Sequence, residues 1–377
     1  MAGIYLHIPF CKQACHYCDF HFSTSLNTKD ALLDALAIEI QIQQNYLRKA
    51  PLETVYFGGG TPSLLSGAEI TGIIAELEKY HTIVPHAEVT LEANPDDLTT
   101  VKLEELKNSP VNRLSIGIQS FVARDLTFMN RAHNVDEAIT CVKKAQSAGF
   151  DNCSIDLIYG VPGLTETEWL ANLEQAVQLG VQHISAYCLT VEPKTALAKF
   201  VETGKVQPVS DDVAAQQFEQ LVKTLTDAGF IHYEISNFCL PGYHSKHNSN
   251  YWKREKYLGL GPSAHSFNGA SRQWNVANNV KYIKALEAEK LDFESEHLSL
   301  TTQYNEYLLT TLRTMWGVEL KIIELDFGPA YLEYCLKEAG PHIREGNLHH
   351  LENKLTLSQQ GKLLADKIAA DLFYIEA

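Results

Sequence analysis

Three cysteines fall within eight residues: Cys11-Lys12-Gln13-Ala14-Cys15-His16-Tyr17-Cys18. Thiolates at this spacing converge on one centre if the loop wraps around it, and they suit an iron–sulfur cluster or zinc. A closed zinc site wants four ligands, usually two CxxC pairs. This chain has one uneven triplet and no second pair downstream, so a zinc reading needs His7, His16 or His21 as the fourth ligand. On a [4Fe–4S] cube, Cys11, Cys15 and Cys18 leave one iron with an open position. A methionyl amine and carboxylate can chelate that iron. An electron from the cluster then breaks the C–S bond of S-adenosylmethionine (SAM) to yield a 5′-deoxyadenosyl radical.

Other polar residues sit where such a cofactor could be held. Gly58-Gly59-Gly60-Thr61-Pro62 follows a strand-like run directly. It reads either as a tight turn or as a place where the backbone approaches a ligand closely. Glu92, Gln119 and Asp156 fall at or near the ends of other strand-like runs, and Arg131 can grip a carboxylate with two hydrogen bonds. Taken singly, each is as well explained by a strand-end hydrogen bond or a surface ion pair. Farther on, His247-Asn248-Ser249-Asn250-Tyr251-Trp252 joins an imidazole to two flat aromatic faces. That combination suits heme iron and a porphyrin plane, or a packed aromatic loop around a bonded histidine.

The elements that position these residues follow from hydrophobic pattern. Strand-like runs at 4–8, 54–57, 88–93, 113–118, 154–158 and 183–189 alternate with helical patterns at 30–47, 68–80, 103–108, 135–148 and 166–179. Thr28 and Asn134 are expected helix caps. Six strand-then-helix units require parallel neighbours and predict an α/β fold, a partial (β/α)6 barrel. Its predicted extent is 1–235, carrying the cysteine loop. A helix at 211–228 and a strand-like run at 231–235 close this part, and 236–278 reads as a long aromatic and histidine-rich loop, the expected heme or porphyrin site. From 279 to 377 a smaller C-terminal helical domain with a hairpin or wing is expected.

Composition excludes some partners. Net charge is −15 across 377 residues, which opposes binding to nucleic acid. No stretch is long and apolar enough to span a bilayer, and the first residues lack a secretory leader pattern. Eight cysteines, three of them crowded together, are metal-site usage in a reducing compartment, so a cytoplasmic location is expected. Cys141, Cys153, Cys188, Cys239 and Cys335 read as scattered buried thiols, with Cys239 an alternative heme ligand. His265 is a second candidate near the cofactor or a satisfied loop histidine, and His244, His349 and His350 read as surface or structural.

The CxxxCxxC loop after the first strand resembles the radical-SAM superfamily. Its flanks, Tyr5-Leu6-His7-Ile8-Pro9-Phe10 and Cys18-Asp19-Phe20, resemble the oxygen-independent coproporphyrinogen III oxidase group. The HNxxYW segment is similar to the signature of that group's heme-chaperone branch. The resemblance implies that Tyr5, Gly59, Gly60, Thr61, Glu92, Gln119, Arg131 and Asp156 contact SAM, with Tyr17 stacked nearby, and that His247, Tyr251 and Trp252 serve heme. Oxidases of the group carry a further Cys two residues after the third ligand, where this chain has Phe20, and an N-terminal extension, which is not expected in a sequence that starts ten residues before Cys11. The expected function is therefore heme delivery to acceptor proteins, and the alternative is radical oxidative decarboxylation of coproporphyrinogen III. Oxidase activity is not expected. Expected partners are heme, heme-acceptor proteins and an electron donor for the cluster; a transient membrane-protein acceptor and a homodimer are further alternatives.

Overall fold

A computed structural model describes residues 1–375; the last two residues of the expected C-terminal domain lie outside the described residues. Six parallel strands follow one another in chain order: β1 (Ala2–Ile8), β2 (Leu52–Gly59), β3 (Ile83–Ala93), β4 (Arg113–Gln119), β5 (Cys153–Tyr159) and β6 (His183–Cys188). The crossovers that parallel pairing demands carry α1 (Lys29–Ile42), α2 (Gly67–Tyr80), α3 (Thr100–Lys107), α4 (Ala123–Phe128), α5 (Val135–Ser147) and α6 (Glu166–Gln178). Asn134 caps α5 through a reciprocal box with Glu137, as its position predicts. Thr28 stands at the N-cap of α1 but makes no side-chain capping bond.

Period-two alternation decides what faces where. Ile4, Leu6, Ile8, Val55, Phe57, Leu91, Leu114, Ile116, Ile118, Ile155, Leu157 and Ile184 are buried in the larger core beneath the helices. The intervening residues, including Tyr56, Glu92, Ser115, Gln119, Asp156 and Ser185, point to the other face of the same strands. A filled (β/α)8 barrel packs its interior with branched apolar side chains. This interior is polar, and the strand ends can hold a ligand.

After β6 come α7 (Ala196–Glu202) and α8 (Asp211–Asp227), then the short β7 (Ile231–Glu234) and β8 (Asn237–Cys239). The loop expected at 236–278 is corrected by the structure. It contains β8, α9 (Lys246–Trp252), β9 (Lys256–Leu260), β10 (His265–Phe267) and β11 (Ser271–Asn275). β9 pairs in parallel with β1, β10 and β11 continue antiparallel, and β8 pairs with β6. Both edges of the six-strand sheet would otherwise leave backbone groups unpaired, and these short strands satisfy them. With β12 (Phe293–His297) the open sheet reaches twelve strands, ordered β12-β11-β10-β9-β1-β2-β3-β4-β5-β6-β8-β7.

The boundary expected at residue 279 also moves. α10 (Asn279–Glu287) buries Tyr282, Ile283 and Leu286 in the first core, and β12 belongs to the large sheet. A second core gathers from Tyr304 onward, around α11 (Leu300–Leu312), the helices Pro329–Arg344 and Ala365–Asp371, and a three-stranded antiparallel wing. No helix among the described residues is long and apolar enough to cross a membrane.

Glu39 locks the added strands to the barrel. Fully buried on α1, its carboxylate accepts bonds from Gly261 N at 2.8 Å, Asn275 Nδ2 at 2.6 Å, Tyr282 Oη at 2.6 Å and Gln43 Nε2 at 3.0 Å. Glu39→Ala strands those donors, so urea unfolding should show a loss of about 3 kcal/mol. A change within error would contradict this role.

Candidate functional site

The cysteine loop is held on two sides. On one, Gly60 N bonds Ile8 O at 2.9 Å and Thr61 N bonds Phe10 O at 2.6 Å. A Cβ on Gly60 would lie 2.6 Å from Phe10 O and 2.7 Å from Phe10 N, so glycine is required here for one backbone to approach another. The glycine run thus anchors the cysteine loop as well as lining the space beside it. On the other side, Gln13 Nε2 donates to Asn130 Oδ1 at 2.7 Å, Asn130 Nδ2 donates to Ala14 O at 2.7 Å, and His16 N donates to Met129 O at 3.1 Å. Lys12 pairs with both Asp96 and Asp97 after β3.

These contacts bring Cys11, Cys15 and Cys18 to one wall of a cavity of about 470 Å³ at the C-terminal ends of the strands. Tyr17, Gly59, Gly60, Thr61, Glu92, Gln119, Arg131 and Asp156 line the same cavity. Tyr5 does not. It stands behind that wall, its hydroxyl 3.2 Å from His7 Nδ1 and its ring against Tyr56 and His247. Cys188 also lines the cavity, which corrects its reading as a scattered buried thiol; Cys141, Cys153, Cys239 and Cys335 are buried as expected.

Arg131 binds this wall together. Its Nη1 reaches Cys15 Sγ at 3.2 Å and Tyr17 Oη at 3.4 Å, while Nη2 reaches Asn94 Oδ1 at 2.7 Å and Gly117 O at 2.9 Å. Gly117 makes room for it, since a Cβ there would meet Gln119 Nε2 at 2.9 Å and Arg131 Nη2 at 3.2 Å. Arg131 Nε is buried without a partner, a donor free for a ligand anion. Gln119 holds a φ of 69°, backbone strain of the kind found at functional sites.

The donor set fits a cluster with SAM beside it. Burial pushes the Cys18 thiol up to about 11 and raises Cys11, so metal must displace their protons. Among the described residues no three His, Cys, Asp or Glu side chains stand at the spacing of a single metal ion. A cubane spreads its ligands over separate corners and does not ask for that convergence. The histidines of the zinc reading are engaged elsewhere: His7 with His21 O at 2.9 Å, His16 with Phe128 O at 2.7 Å, His21 with Asn279 Oδ1 at 2.7 Å. Burial raises Glu92 to about 7 and Asp156 to about 6. A cationic ligand such as SAM would favour their charged forms.

The HNxxYW segment lies at the opposite end of the barrel, where α9 packs against β1 and β2. Glu88 of β3 accepts from the backbone N of Lys246 and of His247, each at 3.0 Å, and so seats the helix. His247 is 2% exposed, with Nδ1 bonded to Thr54 Oγ1 at 2.8 Å and Nε2 to Tyr251 Oη at 2.9 Å. The Trp252 ring lies under Arg313 at 5.6 Å. Ser249 Oγ, Asn250 Nδ2 and Trp252 Nε1 are buried on this short helix without partners. His265 stacks on Trp274 at the sheet edge and does not line the cavity.

Sequence reasoning missed Gln13, Asn94 and Asn130, and gave His16 a different role, as a possible zinc ligand. Asn94 was within reach, because it follows Glu92 by one strand period. The others depend on contacts more than 100 residues apart and leave no local signal.

The raised carboxylates fix a pH dependence. A folded-state value near 7 against 4.5 means that Glu92 contributes stability fully present below about 4.5 and lost as pH rises through about 7. The melting temperature of Glu92→Gln should therefore rise relative to wild type across that interval, in protein free of cluster and SAM. Parallel curves would contradict the burial of this charge.

Residues 5–176 match the Radical SAM superfamily model. The chain is 35% identical over 375 residues to a heme chaperone HemW of Mycobacterium tuberculosis, covering 98% of this chain and 94% of the relative. It is 32% identical over 373 residues to heme chaperone HemW of Bacillus subtilis, covering 98% of each. The solved structure of the radical SAM enzyme coproporphyrinogen III oxidase (HemN) from Escherichia coli superposes with a TM-score of 0.84 at 22% identity, over 99% of this chain and 90% of that one, and establishes the shared fold. On near-full-length identity and a matching cysteine-loop domain, the chain belongs to the HemW family of the radical SAM superfamily.

Proposed function

We propose that the protein is a cytoplasmic heme chaperone that binds a [4Fe–4S] cluster through Cys11, Cys15 and Cys18, holds SAM in the adjoining cavity, and passes heme to acceptor proteins. The observation that carries the cofactor part is the shared wall: three thiols, the Gly59–Thr61 loop, Arg131 and two closed-in carboxylates face one space. When bound, the cluster supplies an electron from a separate donor and a chelation point for the methionyl group. Arg131 would pair with the ligand carboxylate through its free Nε, while Glu92 and Asp156 balance the ligand's positive charge. Asn94 and Gly117 keep the guanidinium in place.

The α9 segment would hold heme, His247 offering its imidazole to the iron and Tyr251 and Trp252 packing on the porphyrin. Both His247 nitrogens are bonded in this conformation, so coordination through Nε2 requires its bond to Tyr251 to open. The partnerless polar atoms of Ser249, Asn250 and Trp252 support a helix that rearranges toward a ligand. Delivery is favoured over decarboxylation by Phe20, which is 67% exposed where the oxidases of the group have their further cysteine, and by the chaperone relatives.

Reconstituted protein given coproporphyrinogen III and reductant should form no stoichiometric protoporphyrinogen. Hemin titrated into the same preparation should give a Soret shift that His247→Ala lacks. Stoichiometric decarboxylation would overturn the chaperone reading, and identical Soret shifts would remove His247 from the heme site.

A further inference from the structure

The two ends of the barrel are joined by a stack of side chains along its interior. The His247 ring lies 4.9 Å from the Tyr56 ring at an interplanar angle of 24°. Tyr56 Oη in turn donates to Glu92 Oε1 at 2.8 Å, and Gly59 N donates to Glu92 Oε2 at 3.2 Å. Glu92 and Gly59 both line the cofactor cavity.

Glycines leave space for this stack at two levels. A Cβ on Gly3 would fall 2.5 Å from Thr54 Oγ1 and 3.3 Å from His247 Nδ1. A Cβ on Gly58 would fall 2.9 Å from the Tyr5 ring, 3.0 Å from the Tyr56 ring and 3.1 Å from Glu92 Oε1. Side chains at those positions would push His247 off β1 and Tyr56 off Glu92. Thr54 and Tyr251 hold the imidazole from either side, so its ring is a fixed surface against which Tyr56 rests.

We propose that His247 and Tyr56 are positioning residues for the SAM cavity: the imidazole seats Tyr56, whose hydroxyl holds the Glu92 carboxylate toward the ligand. The HNxxYW segment then acts on the cofactor end of the barrel as well as on whatever binds at its own end. A ligand that draws His247 away from Thr54 and Tyr251 would loosen Tyr56 and change the hold on SAM. The reverse coupling follows with equal magnitude.

The proposal rests on SAM binding in this cavity, and the test separates the two. Other ionisable groups facing Glu92 are Tyr5 on β1, Asp156 on β5, Tyr187 on β6, Tyr251 on α9 and Cys11 in the cysteine loop, while Arg113 on β4 faces Tyr56 and His247. They are retained in every variant below. SAM affinity of the reconstituted full chain is measured by calorimetry across pH, with a thermal melt of each variant. In wild type, affinity for the cationic ligand rises as Glu92 ionises, which gives the pH profile its midpoint. Tyr56→Phe removes a hydrogen bond to the charged carboxylate and should move the midpoint up by about half to one pH unit. His247→Ala should move it in the same direction, and His247→Phe, which restores a flat ring against Tyr56, should bring it back.

An unmoved midpoint in folded His247→Ala overturns the proposal. If that variant does not fold, Tyr56→Phe decides by the same criterion. Wild-type protein that binds SAM at no pH overturns the cofactor reading and this proposal with it.

Discussion

One guanidinium ties the cysteine loop to the barrel. Arg131 reaches the Cys15 sulfur and Tyr17 with one nitrogen, and Asn94 and the β4 backbone with another. A flexible loop with three thiols cannot by itself fix where an open coordination position points, because ordering it costs backbone entropy. Arg131 supplies that orientation through rigid, forked donors, and lysine, a single point charge, would not span the same partners. The turn bearing Arg131 is in turn stitched to the loop by Gln13, His16 and Asn130. Loop and arginine position each other.

The barrel gives this arrangement its setting. Apolar residues on one face of each strand form the core beneath the helices, which frees the other face for polar side chains. Closed in by its neighbours, that polar face shifts carboxylates upward and places them where a cationic ligand is welcome. The α9 helix closes the far end, and the His247–Tyr56–Glu92 stack runs between them.

Much of this was legible in the sequence. Strand-like runs separated by helical patterns marked the six parallel strands, and Asn134 marked a helix start. The cysteine triplet, Gly59, Gly60, Thr61, Glu92, Gln119, Arg131 and Asp156 all reach one cavity. The misses have physical causes. Strands of three to five residues between 237 and 275 pair with distant edges, and no local pattern announces such partners. Tyr5 shares its strand face with His7 but packs against Tyr56 and His247, and that depth depends on tertiary neighbours. Gly60 was legible as a close approach, but not that the approaching partner is Phe10 of the cysteine loop.

The central claim is that three thiols hold a cube with one iron left for an exogenous chelator. Mössbauer spectroscopy of anaerobically reconstituted, iron-57-enriched protein with and without SAM tests it most directly. A [4Fe–4S] cluster is expected in which one iron of the four changes its isomer shift when SAM is added. Iron that is absent, or a cluster whose four irons are indifferent to SAM, would contradict it.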